Sequence, residues 1–365
     1  MNEKNNFLHT FNGIPYDEEV VPFPNFGAVT FQHNRELAEK ICLKNSSISW
    51  SFSDINNLIL KLQSYFDEIG IGKNDVVGLS FGSNPVEILL FFALMFRGAI
   101  IQPIFPTYSE IDISKLFKKS EAKIIFNFQS DNSYSQLKSK IIDIANQQKF
   151  LTKIGNIKQK EATLPYLQLK HPALRMLINK IGIVEFNQYN LLTSAQSIGK
   201  LFHLFRPGIS ILNHNIEDLT DFIYSIFAPF YYGKTVEIDE KITDEKIVKM
   251  LNNGSIHYSY LSDDFDCELG KIKLNSNKIL RDATIIINIK NQKNNFKVPK
   301  ELPITKIFGD DYSCGVGVII DENNNWKCMD NIEILEFDNP VNSVLQIQNE
   351  TIAFRGHTIF DRIIE

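Results

Sequence analysis

The chain has little excess charge of either sign, and few cysteines, long apolar runs or familiar catalytic signatures. Its 38 Lys and Arg against 43 Asp and Glu leave a net charge of −5 over 365 residues. No sustained Lys/Arg run provides the basic stripe that a phosphate backbone demands, so nucleic acid is not an expected partner. The four cysteines (Cys42, Cys267, Cys314, Cys328) are scattered without Cys-x-x-Cys spacing. That pattern argues against a disulfide framework or a zinc site and fits reduced thiols in a cytoplasmic protein. The longest apolar stretch runs from Ile88 to Phe96 and ends at Arg97-Gly98, well short of the roughly 20 residues a membrane span needs. The polar N-terminus lacks a signal-peptide core, and a soluble, cytoplasmic protein is expected. There is no Gly-x-Ser-x-Gly elbow, no His-Glu-x-x-His pair and no dinucleotide-binding glycine fingerprint after the early strands.

What the chain has in quantity is apolar material, 44% of all residues with 28 Phe, enough for sizeable packed cores in roughly two or three structural units. Between Ser46 and Phe128 strand-like and helix-like patterns alternate. Ser47 to Phe52 alternates like a strand. Ser53 is placed to cap a helix whose apolar positions Ile55, Leu58, Ile59, Leu62, Tyr65, Phe66 and Ile69 follow helical spacing up to Gly70. A turn at Gly72 to Asp75 leads into the strand Val76 to Phe81. Asn84-Pro85 then opens a helix through Phe96, which Gly98 stops. A buried strand from Ala99 to Phe105, a helix near Ser109 to Lys119 and a short strand from Lys123 to Phe128 follow. This order indicates βαβ units and a mainly parallel sheet covered on both faces. Ser130 to Lys170 reads as a helix followed by a surface excursion. Phe222, Ile223, Ile226, Phe227 and Phe230 have the helical spacing of a core stripe, and Glu322 to Asn325 reads as a turn joining two strands of a hairpin.

Several pieces taken together resemble the opening third of acyl- and aryl-CoA ligases and related adenylate-forming (AMP-binding) enzymes. They are Trp50-Ser-Phe-Ser-Asp54, Gly70-Ile-Gly-Lys-Asn-Asp-Val-Val77, Asn84, Arg97-Gly-Ala99, Pro103, Pro106-Thr-Tyr108 and Ser120-Glu-Ala-Lys-Ile-Ile125. The similarity resumes at Glu185-Phe-Asn-Gln-Tyr-Asn-Leu-Leu192. It continues through Ile211-Leu-Asn-His214, Leu219 to Ala228, Pro229 to Val236, Phe308-Gly-Asp-Asp-Tyr312 and Ile352-Ala-Phe-Arg-Gly356. The resemblance implies an α/β fold: two mainly parallel sheets sandwiched with helices, as in the large lobe of those enzymes, plus a partial β-rich third subdomain. The expected division is 1–170 and 171–330 for the two α/β subdomains and 331–365 for the partial β subdomain.

The same resemblance sets the chemistry to look for. Joining a carboxylate to the α-phosphate of ATP requires donors around the triphosphate, a magnesium ion, a ribose anchor and a positive group at the α-phosphate. Where the family carries a loop resembling Ser-Gly-Thr-Thr-Gly-x-Pro-Lys-Gly, this chain has Asn179-Lys180-Ile181-Gly182. Lys180 and Gly182 stand as remnants of the Lys-Gly end, or as an ordinary turn lysine and turn glycine. Where the family has Tyr-Gly-x-Thr-Glu, with the Glu helping to hold magnesium, the chain reads Phe308-Gly309-Asp310-Asp311-Tyr312, and Tyr312 is no hard-cation ligand. Gly309, Asp310 and Asp311 are remnant candidates for the cofactor site, and an Asp-Asp-Tyr turn is the plainer reading. His214 is the substrate-pocket candidate, beside the alternative of a buried, hydrogen-bonded core histidine. The ribose-binding segment and the mobile C-terminal lobe with its lysine are not met before Glu365.

The expectation is a degenerate ligase homologue, incompetent alone, with no cofactor, acting as a binding or partner protein. Its ligand would be a carboxylic acid or acyl group, and its protein partner an intact ligase, a carrier protein or a synthase. The alternative is a ligase completed by a separate chain, with ATP and magnesium, or another reaction in the inherited cleft.

Overall fold

In the computed structural model, residues 10–11, 14–15, 21–119, 122–128, 139–161, 166–178, 182–212, 215–239, 244–261, 284–288, 304–308, 311, 318–320, 326–328, 332–335, 343–347, 350–356 and 362–364 are described. Two large sheets organise them. The seven-stranded sheet has the order Arg362–Ile364, Gly182–Asn187, Pro172–Ile178, Ile100–Ile104, Val76–Ser80, Ile124–Asn127, Lys140–Asp143. It is parallel from Pro172–Ile178 to Lys140–Asp143 and antiparallel at its other end. The nine-stranded sheet runs Trp326–Cys328, Val318–Ile320, Ile304–Phe308, Thr284–Asn288, Ile256–Leu261, Ile209–Leu212, Val236–Ile238, Ile41–Lys44, Ser49–Ser51. It is parallel between Ile304–Phe308 and Ile41–Lys44. Strands from both sides of residue 170 share each sheet. A three-stranded antiparallel sheet, Ile332–Leu335, Glu350–Gly356, Ser343–Ile347, lies within the expected β subdomain, while Arg362–Ile364 pairs back onto the first large sheet.

Local chemistry sets the helix limits. Asn84 accepts from Val86 N while Glu87 reaches back to Asn84 N, a reciprocal box around Pro85. Gly98 at φ 73 stops the helix Pro85–Arg97 in a conformation that costs glycine nothing. The helix Phe52–Ile69 starts earlier than the cap expected at Ser53. Ser51 and Asp54 have the box spacing, Asp54 N donating to Ser51 Oγ at 3.1 Å and Ser51 N to Asp54 Oδ2 at 2.8 Å, so two donors are met at once. The expected core stripe is fully buried in the continuous helical segment formed by Leu219–Phe222, a π-turn at Ile223–Phe227 and Ala228–Tyr231. Its rings meet those of the N-terminal helices, with Phe92 and Phe230 centroids 4.3 Å apart and Phe26 and Phe227 5.7 Å apart, so one core joins both sheets. Among the described residues no helix is long and apolar enough to cross a membrane.

Close packing makes one glycine critical. A Cβ on Gly199, in the helix Gln188–Leu201, would lie 1.8 Å from Tyr232 Cε2, and Tyr232 is held in place by donating to Gln196 O at 3.2 Å. Gly199→Ala is expected to cost about 1–3 kcal/mol in urea unfolding. Gly155→Ala, where a Cβ meets nothing within 4 Å, is expected to leave stability unchanged or raise it by about 0.4–1 kcal/mol.

Three buried histidines give the protein an acid-side weakness. Burial is the leading cause that lowers His33, His171 and His257 from the ordinary 6.5, His257 to about 4. His33 and His171 each hold a backbone carbonyl, Tyr231 O at 3.1 Å and Gly98 O at 2.8 Å, which offsets burial only in part. Because the folded state resists protonation, the unfolded chain binds more protons between pH 6.5 and about 4. Stability is therefore full above pH 6.5 and falls as the pH drops through that window, which melting temperatures at pH 7.5, 6 and 5 will register.

Candidate functional site

In an open parallel sheet, ligands gather at the carboxyl ends of the strands. Here the ends of Val76–Ser80, Ile100–Ile104 and Pro172–Ile178 from one sheet meet those of Ile209–Leu212 and Ile304–Phe308 from the other. Pro172–Ile178 turns back into Gly182–Asn187, and the pair is in register to its last residues, Ile178 opposite Gly182. Only Asn179, Lys180 and Ile181 lie between them in the chain. Gly182 sits at φ 119 with nothing within 4 Å of a would-be Cβ, so the turn's backbone, not a close neighbour, calls for glycine.

The two sets of strand ends are tied directly to each other. Ser83 Oγ donates to Asn215 Oδ1 at 3.1 Å and Thr107 Oγ1 to Glu217 O at 2.9 Å. Tyr108 Oη donates to Leu177 O at 3.0 Å, beside the hairpin tip. Asp311 Oδ1 accepts from Thr220 N at 3.0 Å and Thr220 Oγ1 at 2.8 Å, binding the end of Ile304–Phe308 to the first turn of the helical segment 219–231. The same turn is capped by Asp218, which accepts from Asp221 N at 2.9 Å. Between these ties the space is filled with rings: Phe222 stands 4.5 Å from Phe91 and 4.9 Å from Phe81, and Phe105 lies 5.8 Å from both Phe81 and Tyr108. Phe81, Phe91, Phe105 and Phe222 are all buried.

Among the described residues, the charges that act on Tyr108 at this end are negative. Burial is the largest effect raising the Tyr108 phenol, and the carboxylates of Asp311, Asp218 and Asp112 push it further the same way, against the hydrogen bond to Leu177 O. A triphosphate would meet these charges at unfavourable sign. Among the described residues no group of three or more His, Cys, Asp or Glu side chains is arranged to hold a metal ion.

Of the residues singled out in the sequence, Gly182 and Asp311 fall within the described part, on the hairpin and against Thr220 respectively. Lys180, His214, Gly309 and Asp310 lie outside the described residues. Sequence reasoning did not assign site roles to Thr220, Thr107 and Ser83. The Asp218-x-x-Asp221 spacing signals a cap, but nothing local links Thr220 to a partner 91 positions away.

Helix-covered, mainly parallel sheets joined through one core, with an antiparallel hairpin at their meeting strand ends, are the architecture to set beside known proteins. The AMP-binding enzyme family model matches residues 30–175. The chain is 33% identical over 97 residues to 4-coumarate–CoA ligase 1 of Arabidopsis thaliana, and 27% identical over 97 residues to 4-coumarate–CoA ligase 1 of Petroselinum crispum. The shared stretch is 26% of this chain and 17–18% of those relatives. The fold resembles the Klebsiella oxytoca NpsA N-terminal subdomain solved in complex with 3-hydroxybenzoyl-AMSN, at a TM-score of 0.69 and 12% identity, covering 94% of this chain and 89% of that one. It also resembles VinN in complex with L-aspartate, at 0.70 and 10%, covering 92% and 89%. A third likeness is to an artificially fused adenylation–PCP di-domain, NpsA-ThdA from Klebsiella oxytoca, at 0.64 and 11%, covering 91% and 70%. Over residues 30–175 the chain is similar to AMP-binding enzymes, and the fold of its described residues is that of the N-terminal subdomain of adenylation proteins.

Proposed function

We propose that this chain is a catalytically silent member of the adenylate-forming superfamily that acts by binding a partner protein or an acyl or aryl ligand, with no ATP or magnesium cofactor. The observation that carries this reading is the hairpin paired up to Ile178 and Gly182, which leaves three residues where the family has its phosphate-gripping loop. A loop that short has too few backbone N–H groups and no hydroxyl side chain with which to surround a triphosphate. Asp311 supports the reading, because its carboxylate is engaged by Thr220 and places negative charge at the strand ends. The remnants Lys180, Gly182, Gly309 and Asp310 and the pocket candidate His214 have on this reading no part in catalysis. A cytoplasmic setting fits the sparse, scattered cysteines. The carrier-protein class of partner is suggested by the fused adenylation–PCP neighbour.

A second reading, a ligase completed by a separate chain, has one observation in its favour. The NpsA N-terminal subdomain was solved with 3-hydroxybenzoyl-AMSN bound, so in that protein this subdomain takes a ligand by itself. Mixing the purified chain with candidate partner lobes separates the two. The silent reading expects no carboxylate-dependent AMP release in any mixture, and release with one of them would replace it by the second.

A further inference from the structure

Away from the cleft, where Ile209–Leu212, Val236–Ile238 and Ile256–Leu261 begin, two basic side chains are buried against each other. Lys234 Nζ lies 2.8 Å from His257 Nδ1 and donates also to the carbonyls of Arg206 and Gly208. Lys234 is 2% exposed and His257 0%. A lysine ammonium can only donate, so Nδ1 is the bare, accepting nitrogen of a neutral imidazole and the ring proton sits on Nε2. That N–H is buried and meets no acceptor. Buried donors are almost always satisfied, and one left open calls for a missing acceptor.

The charges point the same way. After burial, the groups that hold His257 down are Lys234, Arg206 and His203, and the group that adds to burial at Lys234 is Lys40. No carboxylate among the described residues acts on either. Arg206 and His203 belong to the loop after the helix Gln188–Leu201, where both are half-buried against the exposed Phe205, and both act electrostatically on the buried ring.

We propose that His257 Nε2–H, with Arg206 and His203 beside it, forms an oxyanion subsite that takes inorganic phosphate or the phosphoryl group of a larger molecule, at the opposite strand ends from the cleft. The anion supplies both what the ring N–H lacks and the counter-charge that the buried pair lacks. The subsite is independent of the silent-ligase reading, since it uses none of the cleft residues.

The test is a thermal melt at pH 7 and constant ionic strength, with chloride replaced stepwise by inorganic phosphate, on the wild type and on a His203→Asn/Arg206→Gln variant. Asn is chosen because residue 203 sits at φ 53, a conformation Asn tolerates. Phosphate is expected to raise the wild-type melting temperature in a saturable way and to leave the variant unmoved. Glycerol 3-phosphate matching phosphate would support recognition of a carried phosphoryl group, and a response to phosphate alone would support the free ion. In the wild type the His257 ring nitrogen resonances should shift with the same midpoint. No phosphate-specific rise, an equal rise in the variant, or a ring that does not respond would each overturn the proposal.

Discussion

Incubated with ATP, magnesium and a panel of aryl and acyl carboxylates, the purified protein is expected to give carboxylate-dependent pyrophosphate exchange at no more than about one thousandth of the rate of an intact ligase assayed alongside. Removing a single preorganised donor from a transition-state site costs about two to three decades in rate. On the silent-ligase reading the triphosphate grip is reduced to three connecting residues, Tyr312 stands where the resembling family has its magnesium-holding Glu, and Asp311 is engaged by Thr220. Losses of cooperating groups do not add, so the deficit need not be the product of the separate ones, but several together are expected to reach the stated bound. Carboxylate-dependent exchange above that bound would overturn the silent-ligase reading.

Phe222→Ala is expected to destabilise the protein by about 3–5 kcal/mol, read as a lowered urea midpoint at unchanged slope. Phe222 has 0% exposure and its ring lies against Phe91 and Phe81, with Phe227 at 6.0 Å. Such a side chain leaves a cavity when truncated, and neighbours fixed on helix Pro85–Arg97 and on the adjoining strand end cannot collapse into it. The magnitude bears on function. A residue lining an open, solvated ligand pocket would lose less than about 1 kcal/mol, so the large value would identify this aromatic cluster as core that joins the sheets.

Much of this fold is legible in the sequence where the signal is local. Asn84-Pro85 and Gly98 bracket a helix because capping and left-handed glycine act within a turn, and the structure begins and ends that helix there. Val318–Ile320 and Trp326–Cys328 form an antiparallel pair, as expected of the strands that flank the Asn-rich tract. Ser53 misleads because two serines and one aspartate compete for the cap, and only Ser51 with Asp54 satisfies two donors. Lys140–Asp143 is missed altogether. It is an edge strand that is largely exposed, so no apolar alternation marks it. Strand order is illegible for another reason: Val236–Ile238 pairs with Ile41–Lys44, almost two hundred residues away, and no local pattern encodes that choice. The site divides likewise. The short connection Asn179-Lys180-Ile181 can be read directly from the chain, whereas the Asp311–Thr220 tie and the buried Lys234–His257 pair exist only once distant strands come together.

The central claim is that the cleft cannot hold a nucleotide by its phosphates, and a crystal of the protein soaked in ATP and magnesium addresses it most directly. The account predicts side-chain density from Phe81, Phe105, Tyr108 and Phe222 filling the junction and no ordered triphosphate beside the hairpin. An ATP molecule seated there, with its phosphates against residues 179–182 and a magnesium ion near Asp311, would contradict it.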